Sequence, residues 1–497
     1  MWRVIPILVL VLSVSVTTRG HPPDADDWPM YGRNLQHTFS NPASAITPQN
    51  VASLQPAWSF QTGDVVSASP TVVGGVVYIG SWDGFFYALD AHTGQRLWQF
   101  QVDCQNTIVP VPPQCLGPGE TPPARFSSDG GLITASAAVV EDTVYFAAGK
   151  TLYRVHAADG GLRWKRVLCG NPEAPDCAAD PHDPTRIFSS PAVFHGMVFL
   201  GSTVSGADGY RGGFVALDAA TGDLRWRFEV DPLLDDQGRV IGGLNRGCGN
   251  VWSSAAIDEP HGLVFFGTAN CQSGPQPPYH EAVIALEAQT GTPTWVFRPR
   301  QTDTCDFDFG ATPNVLDLGP QQYVGIGGKD GTYYVLERLA ADPAGQLVWA
   351  TNVVFGGMSG GFIGTAAFEG AQVFGATGVG DLNAANPSSV CDPSNPRDTR
   401  LQEPSLHTFT AATGAVQWQQ IRTPSYAPTS LAAGVVFSGS VGPVLHAYEA
   451  HTGRLLARFV LPGSVNSGAT PVGSMVFVGS GTTATGHGSG VHAFRLP

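Results

Sequence analysis

Tyr87-Ala88-Leu89-Asp90-Ala91-His92-Thr93-Gly94, closed by Trp98, is a phrase that this chain repeats. It returns as Val215-Ala216-Leu217-Asp218-Ala219-Ala220-Thr221-Gly222 with Trp226, as Ile284-Ala285-Leu286-Glu287-Ala288-Gln289-Thr290-Gly291 with Trp295, and as His407-Thr408-Phe409-Thr410-Ala411-Ala412-Thr413-Gly414 with Trp418. Weaker copies end at Gly160 with Trp164, at Gly345 with Trp349, and at Gly453, where Leu456 stands in place of Trp. A recurring phrase of this kind marks a solenoid or a propeller.

Working outward, the first copy follows Ser69-Pro70-Thr71-Val72-Val73, the turn Gly74-Gly75, then Val76-Val77-Tyr78-Ile79-Gly80 and Asp83-Gly84. Short β-branched and aromatic runs separated by Gly-Gly and Asp-Gly read as strands joined by tight hairpins. Each unit is therefore four antiparallel strands with the Thr-Gly turn between the third and fourth. A small twisted sheet with two apolar faces cannot bury both alone, so the units stack radially into a closed ring. Strand pairs beginning near Ser69, Ser136, Ser190, Ser254, Thr312, Thr365, Thr429 and Thr470 predict an all-β, eight-bladed β-propeller. The Trp is expected to pack as a spacer against the neighbouring blade, and the Asp at the turn to accept backbone N–H bonds.

Ahead of the ring, Arg3 and an apolar run from Val4 to Val16 lead into Thr17-Thr18-Arg19-Gly20-His21. This reads as a secretory signal peptide over residues 1–20, too short to span a bilayer in the mature chain. Residues 21–497 are then one propeller domain, periplasmic or secreted. The segment from Trp28 to Thr38 has no repeat phrase and is expected to supply the strand joining the last blade to the first.

Eight Cys suit an exported chain. Local spacing suggests Cys104 with Cys115 and Cys169 with Cys177; for the remainder, Cys248 with Cys271 and Cys305 with Cys391 is one arrangement among several. A formal charge of -14 leaves no basic stripe for nucleic acid. There is no C-x-x-C-H haem attachment site, so any electron acceptor is a separate molecule.

In an antiparallel blade, the loop entering the first strand and the loop between the second and third lie at one end, opposite the Thr-Gly turns. The irregular insertions and all eight Cys fall in loops of the first kind. That elaborated face is where a site is expected. It carries Asp303-Thr304-Cys305-Asp306-Phe307-Asp308, three carboxylates that repel one another unless a cation or solvent relieves them. It also carries Lys329, one of only three Lys in the chain. Trp252 lies there too, outside the repeated spacer position.

The segment at Trp28 and the Ala-x-Asp-x-x-Thr-Gly-x-x-x-Trp phrase resemble the quinoprotein dehydrogenases that bind pyrroloquinoline quinone (PQQ), the polyvinyl alcohol dehydrogenases most of all. The resemblance implies an alcohol dehydrogenase with roles for particular residues. Ser205, Gly206 and Ala207 would touch the quinone. Trp252 would lie beneath it, and Lys329 would donate to its oxygens. Asp208, Asn270, Asp306 and Asp308 would hold a metal, with Asp306 also the general base. Asp208 stands where the best-known members have Glu. The adjacent Cys-Cys ring of many members is missing, and the Arg expected near Thr134-Ala135-Ser136 is absent. The implied metal is Ca²⁺, with a lanthanide as the alternative because Asp306-x-Asp308 offers a second acid to a trivalent ion. The implied partners are a small or polymeric alcohol and an external acceptor such as a cytochrome c. A non-catalytic propeller acting as a scaffold, and a dehydrogenase of sugars or aldehydes, are the rival readings.

Overall fold

The structure, a computed structural model, describes residues 25–102, 133–170, 183–204, 209–237, 240–244, 248–270, 278–300, 306–354, 356–357, 360–378, 404–481 and 488–497. The expected signal peptide lies outside them. Among the described residues, eight blades of four antiparallel strands form the ring; Ser40–Asn41 adds a parallel strand to the inner edge of the seventh, and Pro232–Leu234 with Val240–Leu244 makes a separate two-stranded sheet. The first blade is Thr71–Val73, Val76–Gly80, Phe85–Asp90 and Arg96–Gln101. The innermost strands of the next six begin at Ala138, Ala192, Ala256, Asn314, Ala367 and Ser430. The eighth blade is Thr470–Val472, Met475–Ser480 and Gly490–Arg495, completed by Gln55–Gln61 from the start of the chain. One blade built from both ends of the sequence closes the ring.

Six of the blades open on a Ser or Thr whose hydroxyl accepts a bond from the blade before it. The backbone N–H groups of Ser69, Ser136, Ser190, Ser254 and Thr312 donate in turn to the hydroxyls of Ser136, Ser190, Ser254, Thr312 and Thr365, at 2.8–3.1 Å. Gly468 donates to Ser69 and brings the chain of bonds back to the first blade. Between blades the apolar faces interlock. Phe86 stacks on Phe146 at 4.1 Å, and Phe214 on Phe266 at 4.1 Å, all four fully buried. Burying each such ring contributes about 1.5–3 kcal/mol.

The repeated phrase explains itself in this arrangement. The Trp98 indole N–H donates to the carbonyl of Ala157, in the turn of the following blade, at 2.9 Å. Trp58, Trp164, Trp226, Trp349 and Trp418 do the same to Ala91, Ala219, Ala288, Ala411 and Ala450, and Trp295 to Arg338. Asp90 caps its own turn, accepting from the backbone of Thr93 and from its hydroxyl, each at 2.8 Å. Gly94 sits at φ +71 with the Trp58 ring where a Cβ would be, 2.6 Å away, so both backbone and space demand Gly. Strand pairing puts Ala457, not the expected Leu456, at the Trp position, since Ala457 faces Ala447 as Trp98 faces Ala88; this is the one junction where the next blade has no Thr-Gly turn, because the outer strand of blade eight is Gln55–Gln61.

The segment at Trp28 differs from expectation. It does not join the last blade to the first. It lies instead against the innermost strands: Trp28 exchanges backbone bonds with Val72, and Pro29, Leu35, Gln36, Thr38 and Phe39 accept from Val139, Ile257, Val315, Phe368 and Leu431. Ala45 then donates to Gly473. A non-repeating segment is what eight inward-facing strands require, since each blade presents it with a different neighbour. Trp28, His37, Phe39 and Asn41 are all buried there.

Candidate functional site

On the face opposite the Thr-Gly turns, a carbonyl at or just past the end of a second strand accepts the N–H of the loop leading into the next blade. The bonds are Val66 to Ser480, Ile187 to Gly149, Val251 to Ser202, Phe309 to Thr268 and Phe362 to Gly328, all 2.9–3.2 Å. They turn separate loops into a continuous rim on which the side chains of adjacent blades are held at fixed separations.

At the boundary of the fourth and fifth blades that rim gathers the unusual residues. The Asp308 carboxylate accepts the backbone N–H of Asn270 on one oxygen at 3.1 Å. On the other it accepts the Trp252 indole N–H at 3.3 Å and the Lys329 ammonium at 3.4 Å. The same ammonium donates to Asp306 at 2.7 Å. Asp308 and Lys329 are buried and Asp306 is partly so. Trp252, Asn270, Asp306, Asp308 and Lys329, picked out singly from the sequence, are thus brought together. Ser205, Gly206, Ala207 and Asp208 lie outside the described residues, as do Asp303 and six of the eight Cys. Cys169 and Cys248 are each disulfide-bonded.

The two acids, which an extended strand would place on one face, reach one ammonium from a segment that is not a strand, where Asp306 takes a left-handed φ of 60°. Burial, with the adjacent Asp308 charge, pushes Asp306 up to about 7 against the opposing pull of Lys329. Burial works against the Lys329 cation, but Asp308 and Asp306 outweigh it and the net shift is upward. A carboxyl that titrates near neutrality beside a permanent ammonium is suited to taking a proton at physiological pH.

The donor set also suits the implied cofactor and metal. Trp252 is partly exposed, and Lys329 lies 5.9 Å from its ring centroid, so a planar anionic ring would meet both an aromatic face and a cation. Two carboxylates and the Asn270 side-chain amide, which makes no hydrogen bond among the described residues, are the hard oxygens that Ca²⁺ or a lanthanide takes. No group of three His, Cys, Asp or Glu side chains converges among the described residues, so further ligands would come from outside them or from the cofactor.

Three residues of this site escape a reading of the sequence. Gly310 lies against Trp252 so closely that a Cβ would fall 1.7 Å from the ring. Arg300 pairs with Asp330 at 2.8 Å and stands 4.9 Å from the Phe307 ring, between the two acids in sequence. Asn250 bonds across two blades through its side chain. The only sequence signal for Arg300 and Asn250 was their place at the ends of insertions of the elaborated face, and Gly310 lies beyond them.

The chain is similar to known proteins in sequence and in fold. Residues 28–350 match the PQQ family described as glucose/ethanol/alcohol dehydrogenase, beta-propeller domain, and residues 402–492 match a second described as outer membrane protein assembly factor BamB. A polyvinylalcohol dehydrogenase of Pseudomonas sp is 24% identical over 92% of this chain and 73% of its own. Among solved structures, the quinohemoprotein alcohol dehydrogenase of Comamonas testosteroni superimposes with a TM-score of 0.71 at 18% identity, covering 95% of this chain and 80% of that one. A europium-containing methanol dehydrogenase gives 0.72 at 18% identity, covering 95% and 98%. These two likenesses show the fold, and the profile match, spanning well over half the sequence, shows the family. The chain belongs to the PQQ-dependent glucose/ethanol/alcohol dehydrogenase family of β-propellers.

Proposed function

We propose that this protein is an exported dehydrogenase that oxidises an alcohol to the carbonyl compound and passes the electrons to an external acceptor. The observation that carries the proposal is the Lys329 ammonium shared between Asp306 and Asp308, with Trp252 and Asn270 bonded to the same Asp308 carboxylate. Such a cluster has no structural need to stand on the rim of a propeller.

In this reading Trp252 supports the quinone, Lys329 donates to its oxygens, and Ser205, Gly206 and Ala207 line it. Asn270, Asp306, Asp308 and Asp208 hold the metal. PQQ, when bound, supplies a two-electron acceptor for the hydride of the alcohol carbon. Asp306, held at the rim by Lys329, takes the hydroxyl proton. Lys329 stays protonated throughout, which holds the Asp306 carboxylate in place between turnovers. The similarity to polyvinylalcohol dehydrogenase favours a secondary or polymeric alcohol. The absence of a haem-attachment motif favours a soluble cytochrome as acceptor. The pair Asp306 and Asp308 favours a cation of high charge, with Ca²⁺ the first choice to test and a lanthanide the second.

The rival reading, a scaffold without catalysis, is favoured by the match of residues 402–492 to an assembly factor. Titrating PQQ into the purified protein with Ca²⁺ or La³⁺, while following absorption and dye reduction by alcohols, separates the two. Saturable PQQ uptake with alcohol-dependent dye reduction supports the dehydrogenase; no uptake with either cation leaves the scaffold.

A further inference from the structure

We infer that Asn250 is the positioning residue of the cation site, setting the spacing of the third and fourth blades there; the inference rests on the reading of Asn270 and Asp308 as metal ligands. Asn250 precedes Trp252 in the loop entering the fourth blade and is 7% exposed. A carboxamide has an accepting side and a donating side, and this one uses them on different blades. Its oxygen accepts from the Thr203 hydroxyl at 2.5 Å and the Val204 N–H at 2.9 Å, both at the end of the second strand of blade three. Its NH₂ donates to the Asn270 carbonyl at 2.8 Å, at the corresponding place in blade four. The Asn250 backbone bridges Thr203 and Ala269 in the same way.

Asn270 is consequently clamped at both ends. Asn250 holds its carbonyl and Asp308 holds its N–H, so only its side chain is left to move. The clamp places the Asn270 amide at a set distance from the Asp308 carboxylate, which is the property a metal site needs from residues that do not touch the ion. Neither Asp nor Ser reproduces it. Asp keeps the accepting side but sets an oxygen against the Asn270 carbonyl, and Ser is too short to span the blades.

The test is calorimetric titration of Ca²⁺, and separately La³⁺, into protein saturated with PQQ. Asn250→Asp should weaken the cation about 10-fold or more. Thr203→Val, which removes one accepted bond and leaves the residue in place, should weaken it roughly 3-fold. The control is Asn314→Ala, which removes a buried three-way clamp among His37, Ala366 and Tyr333 that shares no hydrogen-bond partner with Asn270 or Asp308. It should lower the melting temperature while leaving cation affinity unchanged. Wild-type affinity in both Asn250→Asp and Thr203→Val, or an equal loss in Asn314→Ala, overturns the inference. A wild-type protein that takes up neither cation overturns the proposed function and this inference with it.

Discussion

Replacing Gly310 by Ala tests whether Trp252 is held as a fixed platform. The added Cβ would stand 1.7, 2.0 and 2.3 Å from three atoms of the six-membered part of the indole. Carbon atoms in ordinary contact are about 3.5–4.0 Å apart, so the ring must retreat by roughly 2 Å. Gly310 is not among the residues at positive φ, so Ala costs nothing in backbone conformation and the whole effect is steric. Overpacking of this kind costs about 1–3 kcal/mol. Moving the indole also breaks its 3.3 Å bond to Asp308, a charge-assisted contact of about 1.5 kcal/mol at its length. The expected loss is therefore about 2.5–4.5 kcal/mol, read as a shift in the urea midpoint at constant slope. Affinity for PQQ should fall as well, by roughly 3- to 10-fold for a lost aromatic face. Trp252→Phe, which removes the part of the ring that collides, should make the second substitution nearly harmless, so the double mutant is more stable than the two single losses predict. Wild-type stability in Gly310→Ala, or strict additivity with Trp252→Phe, would refute the packing described.

Three further outcomes follow from the same contacts. His37 and His407 are held neutral, each pushed down to about 3 by burial. The unfolded chain takes up these protons near pH 6.5 and the folded one does not, so stability is complete above pH 6.5 and declines as pH falls toward 3. At about 1.4 kcal/mol per unit, several kcal/mol should be gone by pH ~4.5, and a urea midpoint equal at pH 7.5 and 4.5 would contradict the burial of these rings. Lys329→Met leaves Asp306 and Asp308 facing each other without a cation, at a cost of up to about 3 kcal/mol, the low end for a buried pair because Asp306 is partly solvated; the loss should be larger at pH 8 than at pH 5, where protonation relieves the repulsion. Trp226→Phe should cost about 1 kcal/mol by leaving the Ala288 carbonyl unpaired, whereas Ala457→Trp should add nothing, since no Thr-Gly turn awaits it in blade eight; thermal melting of both variants checks this.

What could be read in advance was whatever the chain repeats or uses sparingly. The Thr-Gly turns, the spacer Trp and the opening Ser or Thr recur because most blades make the same contact with their neighbours, so the blade count came from the residues alone. Lys329 and the Asp306–Asp308 pair stood out because the chain carries few Lys and is lightly charged. The segment from Trp28 to Ala45 could not be read, because each of its residues meets a different blade and no period results. The left-handed turn at Asp306 leaves no mark in composition, since Asp is at home in turns of every kind. Asn250 and Gly310 act through distances across blades, which no local pattern encodes.

The most direct measurement is the reduction of enzyme-bound PQQ by a secondary alcohol, followed by absorption in a single turnover, in the wild type and in Asp306→Asn. That substitution keeps size and hydrogen bonding but removes the proton acceptor. The account predicts that both proteins bind PQQ with added cation, that the wild type reduces it and yields the ketone, and that Asp306→Asn is slower by about 100-fold or more. Equal rates in the two proteins, or no reduction by any alcohol in a wild type that holds PQQ and cation, would contradict it.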